Sequence, residues 1–309
     1  MKTAPSISSP TTARELRDGV ALMVVAMLIL PGIDAIAKGL AGSVPAGQIA
    51  WVRLVLQTLL LLPFGLRAGG LRIAGPLWPH MARGFLIAAT TVMFFSAVAH
   101  LPLADAISIF FVSPLLLTLL SAAFLGEPIG WRRSLAVLAG FGGALLIVRP
   151  SFAVFGAAAL LPLGSAVTFA LYMVLTRRLA RDGTAAGAVA MQFHAGLFGA
   201  LAMTGALLLG PVTGAPVLAL VMPDAAEWGW LFLLGVIATG GHVLVVLAVR
   251  RIGAGLIAPF QYLEIVSATT LGLVVFGDFP DATTWLGVAI IVASGLFVYY
   301  RERKLASAP

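Results

Sequence analysis

Apolar stretches alternate with short polar segments along the whole chain. Each apolar stretch holds about 20 residues, which is the length that a helix needs to cross the ~30 Å hydrocarbon core of a membrane. The pattern predicts ten membrane helices, at residues 20–38, 47–66, 82–100, 103–125, 133–149, 154–176, 186–210, 228–249, 254–276 and 282–300.

The composition excludes a soluble protein. Hydrophobic residues make up 61% of the 309 residues and charged residues only 10%, with a mean hydropathy of +1.06. A soluble domain typically has about 25% charged residues, most of them on its surface. Lipid must cover most of this surface instead, so we expect an all-α integral membrane protein with the lipid bilayer as its first partner.

Basic residues mark one side of the membrane. Most of the 19 Lys and Arg residues fall at the chain ends and in alternate gaps between the predicted helices. These residues are Lys2, Arg14, Arg17, Arg67, Arg72, Arg83, Arg132, Arg133, Arg177, Arg178, Arg181, Arg250, Arg251, Arg301, Arg303 and Lys304. Because cytoplasmic loops carry an excess of positive charge, both termini are predicted to be cytoplasmic. The formal charge of +7 is thus a topology signal, and it requires no nucleic-acid partner.

The chain is predicted to contain two copies of a five-helix unit. When a unit with an odd number of helices is duplicated in tandem, the second copy enters the membrane from the opposite side to the first. The second unit is therefore inverted. Gly-Glu-Pro at 126–128 follows the fourth predicted helix, and Gly-Asp-Phe-Pro at 277–280 follows the ninth. The predicted units are a disordered cytoplasmic N-terminus at 1–19, a first repeat at 20–149, a second repeat at 154–300 and a basic cytoplasmic tail at 301–309.

Three charged residues fall within the first two predicted helices. At about 1.5 Å per residue, Asp34 lies about 21 Å into its helix from the cytoplasmic side, and Arg53 about 9 Å into the next helix from the other side. These depths coincide in a ~30 Å layer, so an Asp34–Arg53 ion pair is expected. Lys38 is expected to share that carboxylate or to extend to the outer surface. The pair either clamps two helices or lines a pathway, and the sequence leaves both open.

A polar sequence, Gln-Tyr-Leu-Glu, interrupts the ninth predicted helix near the membrane midplane. Its Glu264 lies about 15 Å into the helix, one turn after Pro259. Because an ionisable residue at this depth marks a functional site by default, we expect Glu264, Gln261 and Tyr262 to line a cavity. A buried structural hydrogen bond is the alternative. Ser113 reaches the same depth in the fourth helix and falls opposite Glu264 when the two halves are aligned.

Histidines provide further candidate polar groups. His194, with Gln192 near it in sequence, and His242 are candidate pore-lining donors, and packed helix contacts are the alternative. The histidine spacing matches no zinc motif and cysteine is absent, so no metal and no cofactor are predicted. No nucleotide-binding glycine pattern and no nucleophile motif occurs, so no enzyme activity is predicted.

These residues resemble the drug/metabolite transporter superfamily, in its EamA group, across residues 20–303. Ten helices in two halves, the Gly-Glu-Pro after the fourth helix and a glycine-rich fifth helix carry the resemblance. Asp-Ala-Ile-Ala-Lys at 34–38 with Arg53, and Tyr-Leu-Glu at 262–264 followed by Phe-Pro-Asp at 279–281, resemble the branch of bacterial riboflavin importers and S-adenosylmethionine uptake transporters. The resemblance implies secondary transport of a small-molecule solute across the bacterial inner membrane by alternating access, through a cavity between the halves.

The resemblance does not identify the solute, and the residues leave more than one open. Glu264, Tyr262, Gln261 and phenylalanine neighbours fit a flat heterocycle with a polyol chain, which makes riboflavin uptake the first prediction. A cationic sulfonium group would use the Glu264 charge and the aromatic faces more strongly. Uptake of S-adenosylmethionine is therefore the alternative, beside export of amino acids or drug-like metabolites.

Overall fold

The computed structural model describes residues 13–67, 71–73, 75–126, 130–181, 187–252 and 258–306, and within these ranges it contains helices and no strand. The α-helices, in chain order, are α1 (Ala13–Ile29), α2 (Pro31–Leu40), α3 (Ala46–Arg67), α4 (Trp78–Val98), α5 (Leu103–Phe110), α6 (Ser113–Leu125), α7 (Trp131–Phe155), α8 (Leu161–Arg181), α9 (Ala188–Thr213), α10 (Ala225–Ile252), α11 (Leu263–Leu271) and α12 (Ala282–Ala306). Short 3-10 turns occupy Gly156–Leu160, Pro216–Leu218 and Ala258–Tyr262, and a π-helical turn follows α11 at Gly272–Phe276.

Most of these helices are suited to a membrane. In the described residues, 8 helical segments are long and apolar enough to cross one: Arg14–Leu40, Ala46–Arg67, Trp78–Val98, Leu103–Leu125, Ser151–Leu179, Val189–Thr213, Ala225–Ala248 and Ala282–Tyr300. Two further apolar helices, Ser134–Val148 and Phe260–Phe276, are shorter. The prediction of an all-α membrane protein is confirmed, whereas the count of ten crossings stays a prediction.

Three of the predicted membrane helices are interrupted part-way through. The first divides into α1 and α2 at Pro31, and the fourth divides into α5 and α6 just before Pro114. Proline breaks a helix because it lacks an N–H donor and its ring clashes with the preceding turn. The ninth consists of a 3-10 turn, the nine-residue α11 and a π-helical turn. Such breaks are tolerated within a membrane only where protein or a cavity surrounds the freed backbone groups.

Long-range contacts define the two ends of the bundle. At one end, which we name the Lys38 end, the Lys38 ammonium contacts the Leu101 carbonyl and the Asp278 carboxylate. At the other, the Arg83 end, the Arg83 guanidinium donates hydrogen bonds to Thr176 and to the backbone of α9. The ends of α2, α4 and the ninth predicted helix thus meet at one face of the bundle, and consecutive long helices run antiparallel.

Close backbone approaches at glycine join the helices. A Cβ atom added to Gly287 of α12 would lie 2.7 Å from the Gly143 carbonyl oxygen of α7, so these helices cross nearly backbone to backbone. A Cβ added to Gly199 of α9 would lie 3.0 Å from the Gly84 carbonyl oxygen of α4. Small residues allow such contacts in a membrane, where no hydrophobic effect drives helices together.

The two glycine motifs predicted to end corresponding helices do end them. Gly126 closes α6 with φ +67°, and Gly277 closes the π-helical turn with φ +72°. This left-handed conformation carries a steric cost for residues with a Cβ atom, which explains the glycines. Glu127 and Pro128 of the first motif lie outside the described residues.

The structure corrects three sequence-based boundaries. Helix α1 begins at Ala13, so residues 13–19 of the N-terminus that was predicted to be disordered are helical. Helix α12 continues to Ala306, six residues past the predicted end of the tenth helix at residue 300. Helix α4 begins at Trp78 rather than at residue 82, and it places Arg83 in the protein interior at 1% exposure. Arg83 is therefore wrongly counted among the loop charges.

Candidate functional site

A central cavity of about 280 Å³ lies among the interrupted helices. Six of the candidate residues named from the sequence line it: Asp34, Arg53, Ser113, His242, Gln261 and Glu264. The remaining walls are mostly apolar and come from α1, α2, α4, α5, α6, α8 and α10. A concave, largely apolar space with a few convergent polar groups is the usual form of a small-molecule site.

The helix breaks place the polar groups in this cavity. Asp34 lies in the first turn of α2, directly after the break at Pro31. Ser113 begins α6 after the second break, and Glu264 lies in the first turn of α11 after the 3-10 turn. Each break therefore sets one polar side chain at the start of a short helix, near the middle of the bundle.

Two carboxylates face the cavity without a direct partner. Within the described part of the chain, neither Asp34 nor Glu264 has an ion pair within 4.0 Å or a side-chain hydrogen bond. The two lie close enough to repel each other electrostatically when both are ionised. Burying such charges costs several kcal/mol each in a low-dielectric interior, so a bound cation or a proton is the natural complement.

Arg53 provides the positive charge of the cavity wall. One terminal nitrogen of its guanidinium donates to the Thr91 hydroxyl at 2.6 Å, while its Nε is buried without a hydrogen-bond partner. The predicted direct pair with Asp34 is not formed within 4.0 Å in the described residues, although the two charges attract across the cavity. Arg53 and Asp34 thus line a shared space instead of clamping two helices.

An aromatic wall closes one side of the cavity. The Phe94 and Phe110 rings meet edge to face with centroids 5.3 Å apart, and Phe110 lies 5.4 Å from Phe169. These three rings come from α4, α5 and α8. They provide the faces against which a flat solute can stack.

His242 lines the cavity as well, from helix α10. Its Nδ1 lies 2.6 Å from the Ala238 carbonyl oxygen, four residues earlier, which directs the rest of the ring outward from the helix. His242 also lines a second, smaller cavity of about 70 Å³ together with Gln57, Gln192 and Thr239. It therefore lies between the two spaces, as a candidate polar group on a route that joins them.

Tyr262 does not line the central cavity. Its hydroxyl lies against Gly295 of α12, where there is room only because glycine has no side chain, and its ring lies 5.4 Å from the Phe111 ring. The structure thus separates Tyr262 from Gln261 and Glu264, because the 3-10 turn rotates adjacent residues to different sides.

Gln192 and His194 also lie away from the central cavity. Gln192 lines the smaller cavity, and its side-chain oxygen accepts a hydrogen bond from the Tyr172 hydroxyl at 2.9 Å. The His194 ring bonds through Nε2 to the Leu71 carbonyl at 2.8 Å. Both belong to a polar cluster near the Arg83 end.

Lys38 has a different partner from the one predicted. Its ammonium lies 2.6 Å from the Asp278 carboxylate and 2.8 Å from the Leu101 carbonyl oxygen, and 5.0 Å from the Phe276 ring centroid. It neither pairs with Asp34 nor extends freely to the surface, because Asp278 in the loop after the π-helical turn comes close enough to bind it. The described residues contain no group of three or more side chains suited to hold a metal ion.

Related proteins match almost the entire chain. The sequence profile of the EamA-like transporter family matches residues 17–149 and again residues 156–300. An S-adenosylmethionine uptake transporter of Rickettsia bellii is 26% identical over 293 residues, covering 94% of this chain and 96% of that protein. A pseudopaline exporter of Pseudomonas aeruginosa is 31% identical over 289 residues, covering 90% and 95%. A riboflavin transporter of Rhizobium johnstonii is 28% identical over 300 residues, covering 94% of each chain.

A solved crystal structure has the same fold. It superposes with a TM-score of 0.60 at 22% sequence identity, covering 94% of this chain and 99% of the other. At this identity the likeness concerns the fold alone.

Proposed function

Because the chain belongs to the EamA-like transporter family, we propose that it is a secondary transporter that moves a small organic metabolite across the bacterial inner membrane by alternating access. The observation that carries the proposal is the central cavity, in which Asp34 and Glu264, each beside a break in a membrane helix, meet Arg53 of α3. Broken helices near the midplane are where many secondary transporters bind their solutes.

The proposed topology follows from the repeat and from the basic residues. The two profile matches, at 17–149 and 156–300, support the predicted repeats at 20–149 and 154–300. With five membrane helices in each, the second repeat is inverted relative to the first. The basic loops lie at the Arg83 end, so this end and both termini are proposed to be cytoplasmic.

The names of the related transporters give two solutes, and each solute fits a different part of the cavity. Riboflavin, the first prediction from the sequence, is supported by the aromatic wall and by the neutral side chains of Ser113 and Gln261. S-adenosylmethionine, the alternative, is supported by the same wall and also by Asp34 and Glu264, which would face its sulfonium and ammonium groups. Because Arg53 can compensate only one of the two carboxylates, riboflavin leaves the other uncompensated. We therefore place a cationic heterocycle of the S-adenosylmethionine kind first and riboflavin second. The pseudopaline exporter keeps export of an amino acid or a drug-like metabolite as a third candidate.

Equilibrium binding to the purified protein tests this order. Glu264→Gln keeps the shape of the side chain and removes its charge, and Asp18→Asn removes an exposed acid far from the cavity as a control. We expect Glu264→Gln to weaken S-adenosylmethionine binding about 10- to 100-fold, the effect of one charged hydrogen bond, and Asp18→Asn to leave it unchanged. Tight riboflavin binding that survives Glu264→Gln would reverse the order of the two solutes.

A further inference from the structure

A second polar cluster lies at the Arg83 end, outside the central cavity. We name it the Arg83 cluster, and it comprises His80 and Arg83 of α4, Tyr172 and Thr176 of α8, and Gln192 and His194 of α9. Arg83 is 1% exposed, His80 0% and His194 3%. A charged side chain and two imidazoles are thus fully enclosed by three helices.

The guanidinium of Arg83 is held entirely by neutral groups. Its Nε donates to the Thr176 hydroxyl at 2.8 Å, and one terminal nitrogen donates to the Tyr172 hydroxyl at 3.0 Å. The other reaches the Met191 carbonyl only at 3.4 Å, close to the limit for a hydrogen bond. The guanidinium also lies over the Tyr172 ring, 4.7 Å from its centroid.

In the part of the chain that the structure describes, Arg83 has no counter-ion. Among the described residues, no carboxylate lies within 4.0 Å of Arg83. Both ring nitrogens of His80 and the Nδ1 of His194 are buried without hydrogen-bond partners. A buried polar group without a hydrogen-bond partner destabilises the protein, and a buried charge without a counter-ion does so more strongly. The Nε2–H of His194 donates to the Leu71 carbonyl, so its Nδ1 is an acceptor, whereas the neutral His80 ring keeps one N–H donor without a partner. The cluster therefore offers an anion one fixed cation and one unused N–H donor.

The cluster is connected to the central cavity. Gln192 accepts a hydrogen bond from Tyr172 and lines the small cavity that it shares with His242. His242 in turn lines the central cavity. Polar groups thus continue from the central cavity toward the Arg83 end.

The cluster also joins the two halves of the chain. Helix α4 belongs to the first profile match, and α8 and α9 belong to the second. Movement of one repeat against the other during alternating access would separate Arg83 from its partners on α8 and α9. The guanidinium would then be exposed with its planar donors free, a geometry that binds a carboxylate through two parallel hydrogen bonds.

We propose that the Arg83 cluster is a second solute-binding position, which binds the carboxylate group of the solute when the Arg83 end opens. The inference rests on the proposed transport function and adds that the solute carries a carboxylate group. A zwitterion with a carboxylate uses both the acidic central cavity and the basic cluster, whereas a neutral flavin uses neither charge. Arg83 is then a specificity-determining residue as well as part of the closed end.

Cysteine modification tests the proposal without knowledge of the solute, because the natural chain contains no cysteine. Thr176→Cys places a thiol beside Arg83, because the Thr176 hydroxyl lies 2.8 Å from the Arg83 Nε. Met191→Cys, at a residue whose backbone carbonyl contacts Arg83, is a second position should the first variant fold poorly. Each is treated in lipid nanodiscs with anionic sulfonatoethyl methanethiosulfonate and, separately, with cationic trimethylammonioethyl methanethiosulfonate. The rates are compared with and without Arg83→Gln, and with Arg132→Gln, which removes an exposed arginine at the same end.

We expect the thiol to react about tenfold faster with the anionic reagent than with the cationic one. A cation about 6 Å away attracts the first reagent and repels the second. Arg83→Gln should abolish the preference, and Arg132→Gln should keep it. Acetate should slow the anionic reaction more than chloride at equal ionic strength, and only while Arg83 is present. Thiols that never react, or that react without charge preference or acetate protection, would overturn the proposal. If the same protein still transports a solute, the transport function survives that failure.

Discussion

The ammonium of Lys38 lies 2.6 Å from the carboxylate of Asp278, although 240 residues separate them in the chain. Lys38 belongs to the first profile match and Asp278 to the second, so the ion pair joins the two repeats at the Lys38 end. The Arg83 cluster joins them at the opposite end. The central cavity thus lies between two contacts that connect the same two halves, as expected for a protein that opens at one end at a time.

The Lys38–Asp278 pair should stabilise the protein measurably. Both side chains are largely shielded, at 17% and 31% exposure, so Lys38→Gln and Asp278→Asn should each cost about 1–3 kcal/mol. The double variant should cost less than the sum of the single variants, because it leaves no unpaired charge. Thermal unfolding in detergent measures this. The exposed Arg17–Asp18 pair is the matched control, and Asp18→Asn should change stability little.

Position 295 should tolerate no side chain as long as the Tyr262 hydroxyl packs against it. A Cβ at Gly295 would overlap the Tyr262 hydroxyl, so Gly295→Ala should destabilise the protein by about 1–3 kcal/mol. Tyr262→Phe removes the overlapping oxygen and should recover part of the loss. Gly142 has open space around it, and Gly142→Ala should be neutral or mildly stabilising. Equal unfolding temperatures for Gly295→Ala and Gly142→Ala would contradict the packing described for Tyr262.

The aromatic wall should determine affinity for a flat solute. Phe169→Ala removes one stacking face and should weaken binding about tenfold, whereas Phe169→Tyr should retain most of it. Phe85 of α4 is 63% exposed on the outer face of the bundle, and Phe85→Ala serves as the control. Equilibrium binding of S-adenosylmethionine and of riboflavin measures both changes. An unchanged affinity of Phe169→Ala for both would place the solute elsewhere.

The proposed topology predicts the side of the membrane on which each loop lies. Reporter fusions at 42–44 and 214–216 should be external, and fusions at 68–70 and 182–184 should be cytoplasmic. The reporters are an alkaline phosphatase, active outside, and a fluorescent protein, active inside. A reversed signal at one of these positions would refute the orientation.

The sequence predicted the membrane class and the main cavity residues because both depend on local composition. Hydropathy marks a helix over its own length, and Asp34, Arg53 and Glu264 are conspicuous as charges in apolar stretches. The match to the EamA-like transporter family confirms the predicted resemblance. Pro31 and Pro114 mark two of the three helix breaks in the sequence.

Pairings between distant helices could not be predicted by the same reasoning. Counting residues along each helix places Asp34 and Arg53 at the same depth in the membrane. It does not give the rotation of each helix about its axis, and that rotation directs both side chains into a shared cavity. Lys38 binds Asp278 because the ninth and first predicted helices end side by side, a contact without a sequence signal. The sequence pattern predicts a loop position for Arg83, because an arginine beside a helix end usually reaches water. Only packing against α8 and α9 reveals that it is enclosed.

The most direct measurement of the central claim is uptake of radiolabelled S-adenosylmethionine and riboflavin into proteoliposomes. Native protein should transport at least one of them above empty liposomes. Asp34→Asn and Glu264→Gln, reconstituted to equal density, should reduce that uptake about tenfold or more if the solute is cationic, while Asp18→Asn transports normally. Wild-type rates in both cavity variants, for every solute that the native protein transports, would contradict the claim that this cavity binds the solute.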